Sequence, residues 1–142
     1  MSFQSLGLDP RLLQNVAKQG YAVTTPIQKK AIPAILEGRD VVGLAQTGTG
    51  KTAAFVLPLL HRLMSGPRHQ LRALIVGPTR ELAEQTKDVV AKLGEHVGLR
   101  SVTIYGGVGQ QPQINGVRQG AELAIACPGR LLDLLGQGKF NL

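Results

Sequence analysis

Apolar residues recur along this chain with two different spacings. Short continuous runs of Val, Ile, Leu and Ala predict buried strands, whereas apolar residues that recur every three or four positions predict helices packed on one side. The predicted strands are residues 39–45, 71–77, 100–105 and 122–126. Helices are predicted to begin at Asp9–Pro10, Thr25–Pro26, Gly50, Thr79, about residue 110 and Pro128. The second of these helices should break at Pro33, because proline removes a helical hydrogen bond.

Strands and helices alternate four times with short connections. That order predicts parallel pairing through right-handed crossovers, and therefore an α/β layer fold. In open sheets of this kind, ligands bind at the carboxyl ends of the strands. Chemistry-bearing residues at those ends are therefore the first candidates for a functional site.

Charge and cysteine content narrow the class of protein. Sixteen Lys and Arg against nine Asp and Glu give a net charge of +7, which favours a polyanionic partner such as nucleic acid. The equally open alternative is that a longer parent protein carries the compensating acidic part. Cys127 is the single cysteine, and no Cys/His cluster with metal-ligand spacing is visible. Without a signal peptide or a membrane-spanning run, the sequence predicts a soluble, cytoplasmic protein with no membrane partner.

The stretch AQTGTGKT, residues 45–52, lies between a strand and a helix. Its two glycines let backbone N–H groups turn around phosphate oxygens, and the start of the helix adds a positive end. Lys51 can bridge the terminal phosphates, and Thr52 can offer its hydroxyl to Mg²⁺. Ala45 replaces the first glycine of the strict pattern, where a small residue suffices. The alternative is a glycine-rich turn with a solvated lysine.

This form of the phosphate loop resembles that of the DEAD-box family of ATP-dependent RNA helicases. GYAVTTPIQ (20–28), preceded by the isolated Phe3, is similar to the Q motif of the family, and three further motifs follow in the family's order. These are PTRELA (78–83), Gly106–Gly107 and CPGR (127–130). The resemblance covers essentially the whole chain. It implies a P-loop RecA-like three-layer sandwich with a mostly parallel sheet, in which residues 1–38 form the Q-motif region and 39–142 part of the first RecA-like domain.

The resemblance also implies ATP, with Mg²⁺, rather than any triphosphate. The amide of Gln28 would read adenine N6 and N7, Tyr21 would stack on the base, Thr25 would touch the phosphate loop and Phe3 would pack against this segment. The alternative is that Gln28 is an exposed helical residue and Tyr21 a core aromatic, which would be favoured without the phosphate loop nearby in sequence. Lys51 and Thr52 are the implied catalytic residues, and Thr52 is the metal ligand. The implied nucleotide-binding set is Phe3, Tyr21, Thr25, Gln28, Ala45, Gln46, Thr47, Gly48, Thr49, Gly50, Lys51 and Thr52. Thr24 stands where the family often has proline, a departure expected to be harmless.

Three segments at the ends of predicted strands suit a sugar–phosphate backbone, because they combine helix starts, a hydroxyl and guanidinium groups. The resemblance assigns RNA binding to Pro78, Thr79, Arg80, Gly106, Gly107, Pro128, Gly129 and Arg130. Each segment alone could instead be an ordinary helix start or turn. Cys127 stands where the family usually has threonine, and a thiol is a weak donor. The sequence therefore predicts weaker RNA contact there, which Cys127→Thr should restore.

Two carboxylates are needed for the hydrolysis step, one for Mg²⁺ and one for water. No Asp-Glu pair occurs in the chain, so the expectation is a chain truncated before the DEAD strand, with a second RecA-like domain in the parent. We expect the full-length protein to be an RNA-dependent ATPase that unwinds short duplexes, and this chain alone to be inactive and marginally stable. A non-enzymatic ATP- or RNA-binding module is the alternative, and a generic P-loop kinase is a more distant one.

Overall fold

The computed structural model describes the whole chain, Met1–Leu142. A short 3-10 helix, Phe3–Leu6, is followed by six α-helices and three strands. In chain order these are α1 (Pro10–Lys18), α2 (Pro26–Leu36), α3 (Lys51–Leu63), β1 (Ala73–Val76), α4 (Arg80–Leu93), β2 (Ser101–Ile104), α5 (Gln111–Arg118), β3 (Leu123–Ala126) and α6 (Pro128–Gly136). None of the helices combines the length and the apolar character needed to cross a membrane.

The chain divides into two compact units. The helical unit comprises Met1–Ser65 and Val89–Gly98, and the sheet unit comprises Gly66–Asp88 and Leu99–Leu142. Each has its own buried side chains, and each contains one group of the candidate residues.

The sheet unit has three parallel strands in the order β1-β3-β2. All four residues of the central strand β3 are buried, as expected for a parallel strand covered on both faces. Because the strands run in one direction, β1, β2 and β3 end at the same edge of the sheet. The segments that follow Val76, Ile104 and Ala126 therefore emerge together.

Helices α5 and α6 pack on this sheet around a single apolar cluster. Its buried members are Ile104, Ile114, Ala124, Ala126, Leu131, Leu134 and Phe140. Gly116 lies within α5, where a glycine weakens a helix. An added Cβ at Gly116 would lie 2.7 Å from Cγ2 of Val102. The glycine thus allows α5 to approach β2 closely, which explains its presence inside a helix.

The helical unit is organised by helix caps that the sequence predicted. The Asp9 carboxylate accepts a hydrogen bond from the N–H of Arg11 at 2.9 Å and caps α1. Thr25 and Gln28 form a reciprocal capping box at the start of α2. The buried amide of Asn15 donates to the carbonyls of Leu93 and Glu95 at 2.9 and 2.8 Å. The chain that follows α4 is thereby attached to α1.

Two sequence predictions about elements were wrong, while the strands at 71–77, 100–105 and 122–126 are confirmed in shorter form. Residues 39–45 are not a strand: Val42 and Leu44 are 91% and 90% exposed, and no strand pairs with this segment. An apolar run specifies a strand only where a neighbour supplies hydrogen bonds. Helix α2 also continues past Pro33 to Leu36, since the carbonyl of Pro33 still accepts from the N–H of Glu37 at 3.0 Å.

Candidate nucleotide and nucleic-acid sites

The phosphate loop, residues 45–52, leads directly into α3 in the helical unit. Gly48 and Gly50 have left-handed backbone angles, with φ of +81° and +80°, which favour glycine. No side chain caps the start of α3. The N–H groups of its first turn therefore point toward the loop without a side-chain partner, an arrangement suited to an anion.

The polar side chains of the loop bind its own carbonyl groups. Lys51 Nζ donates to the carbonyl of Ala45 at 2.6 Å, and the Thr49 hydroxyl donates to the carbonyl of Gln46, also at 2.6 Å. The first bond holds the Lys51 ammonium across the loop. A phosphate would offer this ammonium anionic oxygens in place of a neutral carbonyl, and charge-assisted bonds are the stronger kind. The residues present therefore fit a phosphate chain.

Gln28 connects the Q-motif segment to the phosphate loop. Its side chain is 4% exposed, its Oε1 accepts from the N–H of Thr25 at 3.0 Å, and its Nε2 donates to the carbonyl of Gly50 at 3.2 Å. A Cβ at Gly50 would lie 2.3 Å from that Nε2. Glycine at this position therefore provides both the φ of the turn and the space for the Gln28 amide. One amide hydrogen and one lone pair of Gln28 remain for a ligand.

Phe3 and Tyr21 form a stacked pair at the other end of this segment. Their ring centroids are 6.3 Å apart with an interplanar angle of 25°. Phe3 is buried, whereas Tyr21 is exposed, so Phe3 supports Tyr21 and leaves tyrosine surface free for a base. Thr24 donates both its N–H and its hydroxyl to the carbonyl of Met1, at 3.1 and 2.9 Å. A proline could not make the first of these bonds, so in this chain Thr24 fastens the amino terminus beside Tyr21.

The strand-end site, residues 78–80, 106–107 and 128–130, follows the three strands of the sheet unit. All of these residues are exposed except Arg130, which is half-buried. The Thr79 hydroxyl oxygen accepts from the N–H of Leu82 at 3.2 Å, which leaves its hydrogen free to donate. The structure thus brings all eight sequence-predicted RNA residues to one edge of the sheet.

Two residues missed by the sequence analysis hold the side chain of Arg80. Its guanidinium lies over the ring of Tyr105, 5.0 Å from the centroid, in cation–π geometry. The Tyr105 hydroxyl donates to Glu84 at 2.5 Å. This hydrogen bond to a carboxylate raises the pKa of Tyr105. An added Cβ at Gly107 would lie 3.2 Å from Nη1 of Arg80, so the glycine also leaves room for the guanidinium.

A third missed residue, Gln113, holds Arg130. The Arg130 Nη1 donates to Gln113 Oε1 at 3.2 Å, and Nη2 donates to the carbonyl of Val108 at 3.0 Å. Gln113 is buried, and its Nε2 donates to the carbonyl of Tyr105 at 2.9 Å. No sequence signal distinguishes it, because other amide side chains surround it in a polar stretch.

The chain is similar to one family of known proteins over most of its length. A family model described as DEAD/DEAH box helicase matches residues 25–142. The chain belongs to this family. It is 48% identical over 140 residues to the DEAD-box ATP-dependent RNA helicase RhpA of Helicobacter pylori, covering 99% of this chain and 28% of the relative. It is 49% identical over 141 residues to the ATP-dependent RNA helicase DBP10 of Pyricularia oryzae, covering 99% and 15%.

Solved structures of DEAD-box proteins share the fold. A crystal structure of a DEAD box protein from the hyperthermophile Methanococcus jannaschii matches with a TM-score of 0.92 and 36% identity, covering 100% of this chain and 39% of that chain. A hypothetical ATP-dependent RNA helicase from Sulfolobus tokodaii matches with a TM-score of 0.84 and 37% identity, covering 94% and 38%. The predicted RecA-like α/β fold is confirmed. The chain spans less than a third of the length of the RhpA and DBP10 relatives.

The DEAD-box chain holds no cluster of His, Cys, Asp or Glu able to bind a metal ion. Thr52 is the one residue that the sequence analysis named as a metal ligand. Cys127 precedes α6 and its thiol caps no helix N–H. Its backbone N–H donates to the carbonyl of Ile104 at 2.8 Å, so the position is held by the main chain and the half-buried thiol stays free.

Proposed function

We propose that this chain is the ATP-binding and RNA-binding part of an ATP-dependent RNA helicase. The observation that carries the proposal is the hydrogen bond from Gln28 Nε2 to the carbonyl of Gly50 at 3.2 Å. It joins a side chain suited to adenine with the loop suited to phosphate in one compact unit. The family membership and the names of the relatives support the same activity.

Residues of the helical unit have distinct roles in the proposed nucleotide site. Gln28 and Tyr21 recognise the adenine, with Thr25 and Phe3 supporting them. The backbone of residues 45–50 surrounds the phosphates, Lys51 transfers its bond from Ala45 to a phosphate oxygen, and the Thr52 hydroxyl ligates Mg²⁺. Bound Mg²⁺ supplies charge neutralisation on the phosphates.

The strand-end site is the proposed RNA surface. The site offers phosphate and sugar oxygens an exposed hydroxyl, backbone N–H groups and two arginines. It contains no arrangement that reads a base edge. Binding of this kind does not depend on the RNA sequence. A second RecA-like domain completes both sites in the proposed full-length enzyme, which unwinds short duplexes in the cytoplasm.

Nucleotide selectivity tests the proposal directly. We expect the 142-residue chain to bind a fluorescent ATP analogue more tightly than the matching GTP analogue. Gln28→Ala should remove about 1–3 kcal/mol of that discrimination, the usual value of a bidentate amide–adenine contact. Gln14→Ala, which alters an exposed glutamine on α1, is the matched control and should leave the preference intact.

Because Gln28 also caps α2, its replacement needs a second readout. Affinity for pyrophosphate and the melting temperature show whether the loop and the fold survive the substitution. Retention of the ATP preference by Gln28→Ala, with both of these unchanged, would contradict the assignment of the adenine site.

A further inference from the structure

Tyr105 occupies a central position in the strand-end site although it is not one of the proposed RNA-contacting residues. We propose that Tyr105 is a positioning residue whose side chain keeps Arg80 in place to bind phosphate, while its main-chain carbonyl orients Arg130 through Gln113. The inference rests on the proposed RNA-binding function. It adds that the two arginines are held through a single residue.

Glu84 is a potential partner that would compete with phosphate for Arg80. Arg80 and Glu84 are four residues apart on α4, a spacing at which opposite charges pair on a helix surface. An ion pair there would neutralise the arginine. Instead, the Tyr105 hydroxyl donates to Oε1 of Glu84 at 2.5 Å, and Oε2 lies 3.9 Å from Nζ of Lys87. With Glu84 thus engaged, Arg80 forms no ion pair.

The ring of Tyr105 restrains the direction in which Arg80 points. Its guanidinium carbon lies 5.0 Å from the centroid of the Tyr105 ring. The cation–π contact occupies no charged acceptor, so the guanidinium keeps its charge and N–H groups for a phosphate. The bond to Glu84 restrains the ring, so the ring and the arginine are restrained together. Gly107, without a Cβ, leaves the space that this orientation needs.

Arg130 is oriented through the main-chain carbonyl of Tyr105 and the side chain of Gln113. The carbonyl of Tyr105 accepts from Gln113 Nε2 at 2.9 Å, which turns Oε1 of the same buried amide toward Arg130 Nη1 at 3.2 Å. A second acceptor, the carbonyl of Val108, binds Nη2 at 3.0 Å. Two neutral acceptors orient the guanidinium without cancelling its charge, and its other N–H groups remain for a ligand.

Binding of a fluorescein-labelled ten-nucleotide oligouridylate to the 142-residue chain, measured by anisotropy at low salt, tests the proposal. Arg80→Ala should weaken binding, whereas Arg118→Ala, which removes the same charge at an exposed position on α5, should weaken it less. Equal effects of these two variants would overturn the proposed RNA site itself. This outcome is distinct from a failure of the Tyr105 inference.

If Arg80 matters, Tyr105→Leu should weaken binding about two- to fivefold, the value of an exposed cation–π contact. The same change should have little further effect in the Arg80→Ala background. Tyr105→Phe keeps the ring but frees Glu84, and should weaken binding about twofold. Glu84→Gln should abolish the effect of Tyr105→Phe, because the competing charge is gone.

A spectroscopic readout separates positioning from general loss of structure. In a ¹H–¹³C spectrum, the Arg80 δ-protons should show a ring-current shift that Tyr105→Phe retains and Tyr105→Leu removes. Wild-type affinity in both Tyr105 variants, with Arg80→Ala impaired, would overturn the inference. Should Tyr105→Leu fail to fold, the Tyr105→Phe and Glu84→Gln pair carries the same test.

Discussion

Glu122 shows how a single buried charge joins separate segments of the sheet unit. The side chain is 1% exposed, and its two oxygens accept from the N–H groups of His69 and Arg100, each at 2.8 Å. Burial alone would raise the pKa of Glu122, but these two hydrogen bonds and the charge of Arg68 hold the pKa below its ordinary value of 4.5. The ionised form is therefore the one that the fold stabilises.

The sign of the resulting pH dependence follows from linkage. Since the folded-state pKa of Glu122 is depressed, its contribution to stability is fully present above pH 4.5 and is lost as pH falls through the lower folded value. We expect the wild type to unfold at lower urea concentration as pH falls from 4.5 through the lower folded-state pKa of Glu122. Glu122→Gln should cost about 1–3 kcal/mol at pH 7 and flatten the dependence. Glu37→Gln, at an exposed site, is the control, and an unchanged acid response in Glu122→Gln would disprove this role.

Cys127 is a second residue at this scale, and its substitution should affect helix stability and RNA binding in ways that can be measured separately. It is the N-cap of α6 without a side-chain cap bond, and threonine is a better capping residue than one that makes no such bond. Cys127→Thr should therefore stabilise the chain by about 0.5–1 kcal/mol and tighten oligouridylate binding, because a hydroxyl donates better than a thiol. Thermal unfolding and anisotropy measure the two effects separately. Cys127→Val, similar in size but without a donor, should show neither, and equal RNA affinity in all three proteins would remove the RNA role.

At the scale of secondary-structure elements, helix caps explain where α1 and α2 begin, and a glycine explains how closely α5 packs. Helix α2 begins at a capping box, α1 begins at Asp9, and α5 tolerates Gly116 because β2 needs the space. Residues 39–45 are the exception. They have the composition of a strand but, without a paired neighbour, leave Val42 and Leu44 exposed.

A matched pair of substitutions measures whether residues 39–45 are packed. Val42 is 91% exposed, whereas Val56 on α3 is fully buried. Val42→Thr should change the free energy of unfolding by less than about 0.5 kcal/mol, while Val56→Thr should cost about 1–3 kcal/mol because it buries a hydroxyl. Light scattering should also show less self-association in Val42→Thr, since an apolar unpaired segment invites association. Equal destabilisation by both substitutions would show that the segment is packed.

At the scale of the whole molecule, binding of ATP and RNA requires different groups from those that ATP hydrolysis requires. The proposed binding functions use the loop, the Q-motif segment and the strand-end site. Hydrolysis also needs carboxylates for Mg²⁺ and for water, and no Asp-Glu pair occurs in the sequence.

We expect the 142-residue chain to bind ATP without hydrolysing it. Phosphate release should stay at the uncatalysed level with and without RNA, while a fluorescent ATP analogue binds and Lys51→Ala weakens that binding. Lys30→Ala, an exposed lysine on α2, serves as the control. RNA-stimulated phosphate release that disappears in Lys51→Ala would contradict this expectation.

Local patterns were enough to predict the helix caps at Asp9 and Thr25 and three of the strands, because caps and apolar runs are formed by residues close together in the chain. Tertiary structure alone decided what depends on distant partners. Residues 39–45 needed a neighbouring strand, and Gln113 and Tyr105 acquire their roles only when parallel pairing brings the strand ends together. Sequence patterns indicate which side chains can be buried and which residues can bend the backbone. Contacts between distant residues are set by the fold, and in this protein such contacts hold Arg80 and Arg130.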